Sequence, residues 1–476
     1  MTGFNGFLKW LCDNLIWGTP MIVLILGAGI TLSFKMRFFQ ITHFGLILKK
    51  TVGSLFTKKP KNQRESSVSQ FQVISTALAA TIGTGNIAGV ATALTIGGPG
   101  AVFWMWVSAF FSMATAYFEN LLGVKYRKKN KKGEYVGGAM YFLTEGLKAK
   151  RLLKNVRKPL AFLFAFFCIF ASLGMGNMIQ VNTVSSLMYK GIFGIRITPD
   201  LTAIILFIFI GFVVLGGNKR ICKITEKLVP FMAVIYIFGT LAVILLNFGN
   251  MGEVISGIFR SALGINSAIG GVSGYSMKKA FEMGLRRGVF SNEAGLGSSV
   301  LVGACTEIEE PAIQGMWGIF TVFFDTIIGC SLTAFALLSS GVIENTEITG
   351  AALVSLAFEK TIGEGAGDMV SLLTLLFALS TVIGWLFYGI KAAEYLLTEK
   401  YIWIYKLFFA MAVLPGATLE LGTVWLIADI FNGLMAVPNL IGVLALSNEV
   451  RIKIIGKRRD TIGKKGYTID KGLAFR

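Results

Sequence analysis

Apolar residues fall in eleven stretches along the chain, separated by polar and mostly basic connections. The stretches cover approximately 15–34, 71–95, 99–124, 159–188, 199–217, 225–248, 279–304, 313–340, 367–390, 401–420 and 422–446. Each is close to the roughly 20 residues that a helix needs to cross a bilayer. The pattern predicts an all-α polytopic membrane protein with about 11 transmembrane helices. The first stretch, Leu15 to Phe34, has neither a basic leader nor a small-residue cleavage site. It is expected to remain as a membrane segment rather than be removed as a signal.

Two stretches carry residues that interrupt a helix. Thr76 to Gly89 reads TALAATIGTGNIAG, with Gly83, Gly85 and Gly89 around Thr84 and Asn86. Glycine costs about 1 kcal/mol against alanine inside a helix, so this spacing predicts an unwound turn. In lipid, unpaired backbone is tolerated only where it lines a cavity or meets a ligand. The competing reading is that small residues merely let helices pack closely. The seventh stretch contains Gly288 to Gly297, GVFSNEAGLG, in which Asn292-Glu293-Ala294-Gly295 echoes Asn86-Ile87-Ala88-Gly89. The echo lies five stretches further on, and an odd offset makes the repeat inverted across the membrane. Two Gly-interrupted segments at matching places in two halves point to a transporter's central site.

The predicted organisation is therefore an N-terminal span and basic loop over 1–70, a five-helix repeat over 71–248, a second over 249–446, and a basic tail over 447–476. Two connections are less plain. The stretch 137–143 is amphipathic, and is expected either on the inner membrane surface or closing the inner mouth. The glycine-rich stretch 252–276 is expected to form an outer lid or short helices.

Charge adds an orientation. The 476 residues carry a formal net charge of +19, with only 15% charged residues and a mean hydropathy of +0.68. Those are membrane-protein values, and the basic residues concentrate in alternate loops. Lys35–Gln70, Lys125–Lys158, Asn218–Lys227 and the tail from Glu449 are basic, whereas Gly341–Asp368 is acidic. By the positive-inside rule the N-terminus is expected outside and the C-terminus in the cytoplasm of a plasma (inner) membrane protein. The charge thus reads as topology and attraction to anionic lipid, not as nucleic-acid binding.

The chemistry of an enzyme is missing from the sequence. There is one histidine, His43, and five scattered cysteines with no paired spacing, so neither a zinc site nor a disulfide framework is implied. No phosphate-binding loop of the GxxxxGK[ST] type appears. No organic cofactor is expected. A channel would use glycines too, but would show charge rings or a filter loop. A receptor that binds without flux is the remaining alternative.

The blocks TALAATIGTGNIAGVATAL, GGPGAVFWMWVSAFFSMATAYFE, GNMIQVNT, RGVFSNEAGLGSS, TVFFDTIIGCSLTA and ALSTVIGWLFYG together resemble the alanine or glycine:cation symporter family. That family is similar in architecture to LeuT-type transporters, with the same five-plus-five inverted repeat, which in this chain would follow one extra N-terminal span. The resemblance implies sodium-coupled uptake of alanine, glycine or a related small neutral amino acid. Proton coupling, or a preference for glutamine or serine, is the alternative.

The resemblance also implies roles. Gly83-Thr84-Gly85-Asn86 matches the unwound turn whose main-chain amides meet a substrate carboxylate, with Thr81, Gly85 and Asn86 on the substrate side. The carbonyls of Ala79 and Ile82 match sodium-coordinating positions, with the hydroxyls of Ser380 and Thr381 as partners from the ninth stretch. For those hydroxyls the competing role is bonding back to their own helix.

Other positions follow from residue chemistry. Gln180 can donate and accept at membrane depth, which suits a zwitterion; helix-to-helix bonding is the competing role. Asn177 and Asn182 are weaker candidates. Trp385, four residues after Thr381 on the same helix face, is expected either to wall the pocket or to sit at the lipid interface. Asn292 is expected to frame the site at the second break. Glu293 beside it is expected to pair with Arg286 or Arg287. Among the remaining carboxylates, Glu119 and Asp429 are expected near an interface, and Asp325 is the one assigned to gating or proton coupling.

Overall fold

The computed structural model describes residues 3–56, 68–131, 133–264, 272–343, 348–397, 399–419, 422–450, 454–459 and 465–469. Helix dominates because nearly every apolar stretch must satisfy its backbone internally. In chain order the main helices begin with α1 (Gly3–Leu11), α2 (Thr19–Lys35), α3 (Gln70–Thr81), α4 (Val90–Gly97), α5 (Gly100–Lys125) and α6 (Arg157–Leu173). Then come α7 (Ile179–Lys190), α8 (Pro199–Leu215), α9 (Gly217–Leu246), α10 (Met251–Leu263), α11 (Val272–Asn292) and α12 (Ser299–Gly303). The last seven are α13 (Pro311–Val322), α14 (Ser331–Ser339), α15 (Ala351–Ile362), α16 (Ala366–Leu396), α17 (Ile402–Met411), α18 (Val413–Thr418) and α19 (Gly422–Leu446).

Each of the eleven predicted stretches coincides with helix. Among the described residues seven helical runs are long and apolar enough to cross a membrane unaided. An eighth, Gln70–Thr81 with Gly85–Gly97, qualifies only as a pair bent by 47°. Pro199–Leu215 and Ile402–Thr418 are shorter apolar helices.

Both predicted breaks are present. The first occupies Ile82 to Thr84, followed by a π-helical turn over Gly85–Gly89. The second separates α11 from α12, where Glu293, Gly295 and Gly297 all take positive φ. Glycine enters that region freely, whereas a side chain such as that of Glu293 does so only when its surroundings hold it. Two further π-helical stretches, Gly174–Met178 between α6 and α7 and Phe323–Cys330 between α13 and α14, widen helices in the same part of the molecule. Such bulges are frequent at functional sites.

Helix α3 begins with a full capping box: Ser69 accepts from the Gln72 amide, and Gln72 accepts from the Ser69 amide. Its far end packs against α16 at backbone distance, since a Cβ on Gly384 would lie 2.8 Å from the Ala80 nitrogen. That approach brings the first break against the helix that carries Ser380 and Thr381.

The connections that were less plain in the sequence can now be placed. The stretch 137–143 is not an interfacial surface helix: Ala139, Met140, Phe142 and Leu143 are fully buried in the main core. Its amphipathicity reflects packing against neighbouring helices. Of the stretch 252–276, the described part includes helix α10 and the start of α11, and 265–271 lie outside the described residues. The basic tail holds a short antiparallel hairpin, Ile454–Arg459 with Lys465–Ile469, and Lys128–Lys129 pairs with Tyr135–Val136.

Candidate transport site

The first break is a closed turn. The Gly83 amide donates to the Asn86 Oδ1 at 3.1 Å, and the Asn86 amide donates to the Gly83 carbonyl at 3.2 Å. With its oxygen engaged, Asn86 turns its Nδ2 toward the Phe323–Cys330 stretch. There it donates to the Asp325 carboxylate at 2.8 Å and to the Asp325 carbonyl at 3.1 Å. The Asn86 carbonyl accepts from Thr333 at 2.8 Å, and Thr333 is bonded to the Tyr236 hydroxyl at 2.7 Å.

The second break meets the same carboxylate. Ser291 donates to Asp325 Oδ2 at 2.7 Å and Thr326 donates to it at 2.9 Å. Asn292 donates to the Thr326 hydroxyl at 3.2 Å, and its Oδ1 accepts the Ala294 amide at 3.1 Å. Asp325 therefore joins two broken helices that are about two hundred residues apart in sequence. A buried carboxylate is tolerated when several donors surround it, and Asp325 has three side-chain donors.

Beside the first break lies a cluster of oxygens. Ser380 Oγ is 3.4 Å and Thr381 Oγ1 is 3.2 Å from the Ala79 carbonyl. Both hydroxyls also bond back to the Phe377 carbonyl, at 2.8 and 3.0 Å. The two roles weighed for them are thus compatible. A Cβ at Gly83 would sit 2.5 Å from Thr381 Oγ1, so a side chain there would displace that hydroxyl. Ile82 is buried at the end of α3.

Thr84 donates to Gln180 Oε1 at 3.2 Å, and Gln180 donates to the Met175 carbonyl at 3.3 Å. Gln180 thereby ties α7 to the first break. Thr81 bonds only to its own helix, at the Ala77 carbonyl. Gly85 faces the second break, 3.8 Å from Ser291 Cα and 3.9 Å from a Phe290 ring carbon, measured from where its Cβ would be. Asn177 and Asn182 are helix-to-helix links, donating to the Phe409 carbonyl and to the Gly416 and Leu419 carbonyls.

Trp385 is not an interfacial residue. It is 1% exposed, packs edge-on to Tyr388, and its Cβ would be 2.3 Å from a side chain on Gly176. Glu293 does not pair with Arg286 or Arg287: it accepts from Ser298, five residues on, while Arg286 pairs with Asp13 at 3.2 Å. The positive φ at Glu293 turns its carboxylate away from the helix that carries the arginines. Glu119 is fully buried rather than interfacial, accepting from the Gly295 amide at 3.0 Å and from Asn439. Asp429 is half-buried beside Arg286 and Arg287.

Ser291, Thr326, Thr333 and Tyr236 escaped the sequence reading. Their only signal there was a polar group within an apolar run, which helix back-bonding explains equally well. Among the described residues no group of three or more His, Cys, Asp or Glu side chains is placed to hold a metal ion.

Comparison with known proteins agrees with this architecture. A family model described as the sodium:alanine symporter family matches residues 1–461. The chain is 44% identical to the sodium/alanine symporter AgcS of Methanococcus maripaludis, over 92% of this chain and 94% of that one. It is 34% identical to a probable sodium/glutamine symporter, GlnT, of Bacillus subtilis, over 92% and 88%. Among solved structures it resembles MhsT in complex with L-phenylalanine, with a TM-score of 0.51 at 13% identity, covering 81% of this chain and 93% of that one. It also resembles a substrate-bound, outward-open Na+-coupled sialic acid symporter, with a TM-score of 0.52 at 14% identity, covering 90% and 87%. At such identities the structures speak for the fold alone, a LeuT-like one. The relatives are transporters rather than enzymes, and with its family model spanning nearly the whole length, the chain belongs to the sodium:alanine symporter family.

Proposed function

We propose that the chain is a secondary active transporter that carries a small neutral amino acid, alanine or glycine, together with sodium. The observation that carries the reading is the cluster formed by the Ala79 carbonyl, Ser380 Oγ and Thr381 Oγ1, with 3.4 and 3.2 Å from the carbonyl to the respective hydroxyls. A hard cation ligated at about 2.4 Å in octahedral geometry spaces neighbouring oxygens by about 3.4 Å, taking calcium's ligand distances as a guide. The two hydroxyl-to-carbonyl distances, hydrogen bonds in this structure, are compatible with that spacing, and Ile82 is the further carbonyl assigned to the ion.

The amino acid would lie beside the first break. Its carboxylate would meet the amides of Thr84 and Gly85, where glycine allows close approach, with Asn86 closing the turn beside them. Thr81, Gly83, Gln180 and Thr381 complete this wall, with Asn292 on the facing break and Trp385 limiting volume behind it. Sodium bound to carbonyls of the same turn would stabilise the geometry that receives substrate, and reciprocally. Alternating access then moves the broken-helix bundle against the rest. The loop charges support an external N-terminus and a cytoplasmic C-terminus. The repeat boundaries 71–248 and 249–446 are those of the two broken-helix halves.

Alanine uptake into proteoliposomes tests this, with an inward sodium gradient and with none. Accumulation only with sodium is expected. Accumulation driven instead by an acid-outside gradient would transfer the coupling to a proton, with buried Asp325 as the first group to replace. Glutamine or serine outcompeting alanine would change the substrate. No flux under either gradient with any of these amino acids would overturn the proposal.

A further inference from the structure

The short apolar helices α8 and α17 pack beside one another. At the ends that the loop charges assign to the cytoplasm, they border a cavity of about 540 Å³, the size of a ligand pocket rather than a packing flaw. Its wall is assembled from segments far apart in sequence. Residues 216–219 at the junction of α8 and α9 form one side, Ile390 and Glu394 near the end of α16 another, and residues between 400 and 406 at the start of α17 a third. Gly217, at φ +65°, makes the tight turn that carries Lys219 to the rim, a conformation open to glycine at no steric cost.

The lining is basic. Lys219, Lys400 and Lys406 face two carboxylates, Glu134 and Glu394. Both carboxylates are engaged: Lys391 holds Glu394 at 2.7 Å, and Asn130 donates to Glu134 at 3.2 Å. Lys219 and Lys400 are exposed, and neither forms an ion pair among the described residues. The cavity therefore presents a surplus of positive charge to an anion that reaches it. Beside the lysines the surface turns apolar. Leu215, the last residue of α8, is 86% exposed, Trp403 is 59% exposed, and Leu407, one turn further along α17, is exposed as well. Tryptophan is enriched at the headgroup level of a bilayer, and exposed leucines on apolar helices suit acyl chains. A soluble anion would use the lysines alone, whereas an anionic lipid uses both parts of this surface.

We propose that the cavity seats the phosphate headgroup of an anionic phospholipid. Lys219, Lys400 and Lys406 surround the phosphate, and Leu215, Trp403 and Leu407 lie along the acyl chains. Basic pockets between spanning helices on the cytoplasmic side recognise headgroups in this way. A headgroup held there bridges the ends of α8, α16 and α17, so its binding stabilises the folded chain by mass action.

The test is thermal unfolding of the full-length chain in a neutral detergent, titrated with short-chain phosphatidylglycerol, with phosphatidylcholine of the same chain length, and with inorganic phosphate. Phosphatidylglycerol should raise the midpoint saturably, and the other two should leave it in place. Lys219→Gln, Lys400→Gln and Lys406→Gln should each raise the half-saturating phosphatidylglycerol concentration about fivefold, and the triple variant about a hundredfold. A control triple, Lys49→Gln with Lys154→Gln and Lys158→Gln, removes as much charge from exposed positions of other basic connections. It should stay within about twofold of the wild type, because exposed charges more than a Debye length away are screened. An equal loss in both triples would reduce the effect to overall charge and overturn the seat. An equal response to inorganic phosphate would make it a site for a free anion, and an equal response to phosphatidylcholine an acyl-chain contact; either result overturns the proposal, as does a midpoint that phosphatidylglycerol does not move.

Discussion

Asn86 donates its side-chain amide to the Asp325 carboxylate at 2.8 Å, with Asn86 in the first broken helix and Asp325 in the π-helical stretch Phe323–Cys330. Because Ser291 of the second broken helix reaches the other oxygen of the same carboxylate, the two breaks are mechanically joined through one side chain. A hydrogen bond to a charged group contributes about 1.5–3 kcal/mol. Such a link is strong enough to keep the breaks together and weak enough to be exchanged during a conformational change.

Asp325→Asn tests that link. The substituted amide offers one acceptor oxygen where the carboxylate offers two, and its NH2 group faces donors. Uptake should fall about tenfold or more, the equivalent of one bond of about 1.4 kcal/mol. Initial-rate measurements at saturating sodium check this, with the melting temperature in detergent confirming that the variant is folded.

Gly83→Ala should act on sodium rather than on the amino acid. Its Cβ would collide with Thr381 Oγ1 at 2.5 Å, and relieving the clash moves that oxygen away from the Ala79 carbonyl. The sodium concentration for half-maximal uptake should rise about tenfold, corresponding to about 1.4 kcal/mol. Thr381→Ser keeps the oxygen and should stay within a factor of about five, or about 1 kcal/mol. Sodium titration of uptake distinguishes the two.

Trp385 is a packing anchor as much as a wall. Trp385→Ala should cost about 3–5 kcal/mol through the cavity that it leaves, read as a lowered thermal midpoint. Gly176→Ala would push directly on Trp385, whose Cβ and nearest ring carbons lie 2.3–2.9 Å from the added methyl, and overpacking of this kind costs about 1–3 kcal/mol. If Trp385 also limits substrate size, Trp385→Leu should shift the ratio of alanine to larger neutral amino acids in competition uptake toward the larger ones.

Arg127 holds the end of the second broken helix. Its guanidinium donates to the carbonyls of Ala304, Thr306 and Ile308 at 3.3, 2.7 and 2.9 Å while lying 3.6 Å from the centre of the Tyr135 ring. Lysine cannot reproduce a planar fork that bonds and stacks at once. Arg127→Lys should therefore leave carbonyls unpaired at a cost of about 1–3 kcal/mol. Faster amide hydrogen exchange over residues 299–308, with little change elsewhere, is the expected signature.

Hydrophobic periodicity and glycine placement by themselves determined the helical architecture and the two breaks. Both are local matters: a helix must be about as long as the bilayer is thick, and closely spaced glycines weaken it where they stand. The oxygens of Ser380 and Thr381 beside the first break were legible only through resemblance, since a lone Ser-Thr pair usually bonds back to its own helix. The tertiary structure decided the partners of the buried charges. Glu293 was expected to reach back to an arginine on its own helix, but the left-handed turn at that residue redirects it to Ser298. Glu119 and Asp325 lie in apolar runs, and apart from Thr326 beside Asp325 their side-chain and backbone donors come from segments more than thirty residues away. Burial and hydrogen-bond partnership belong to the packed helices as a set, and no single helix carries that information in its own sequence.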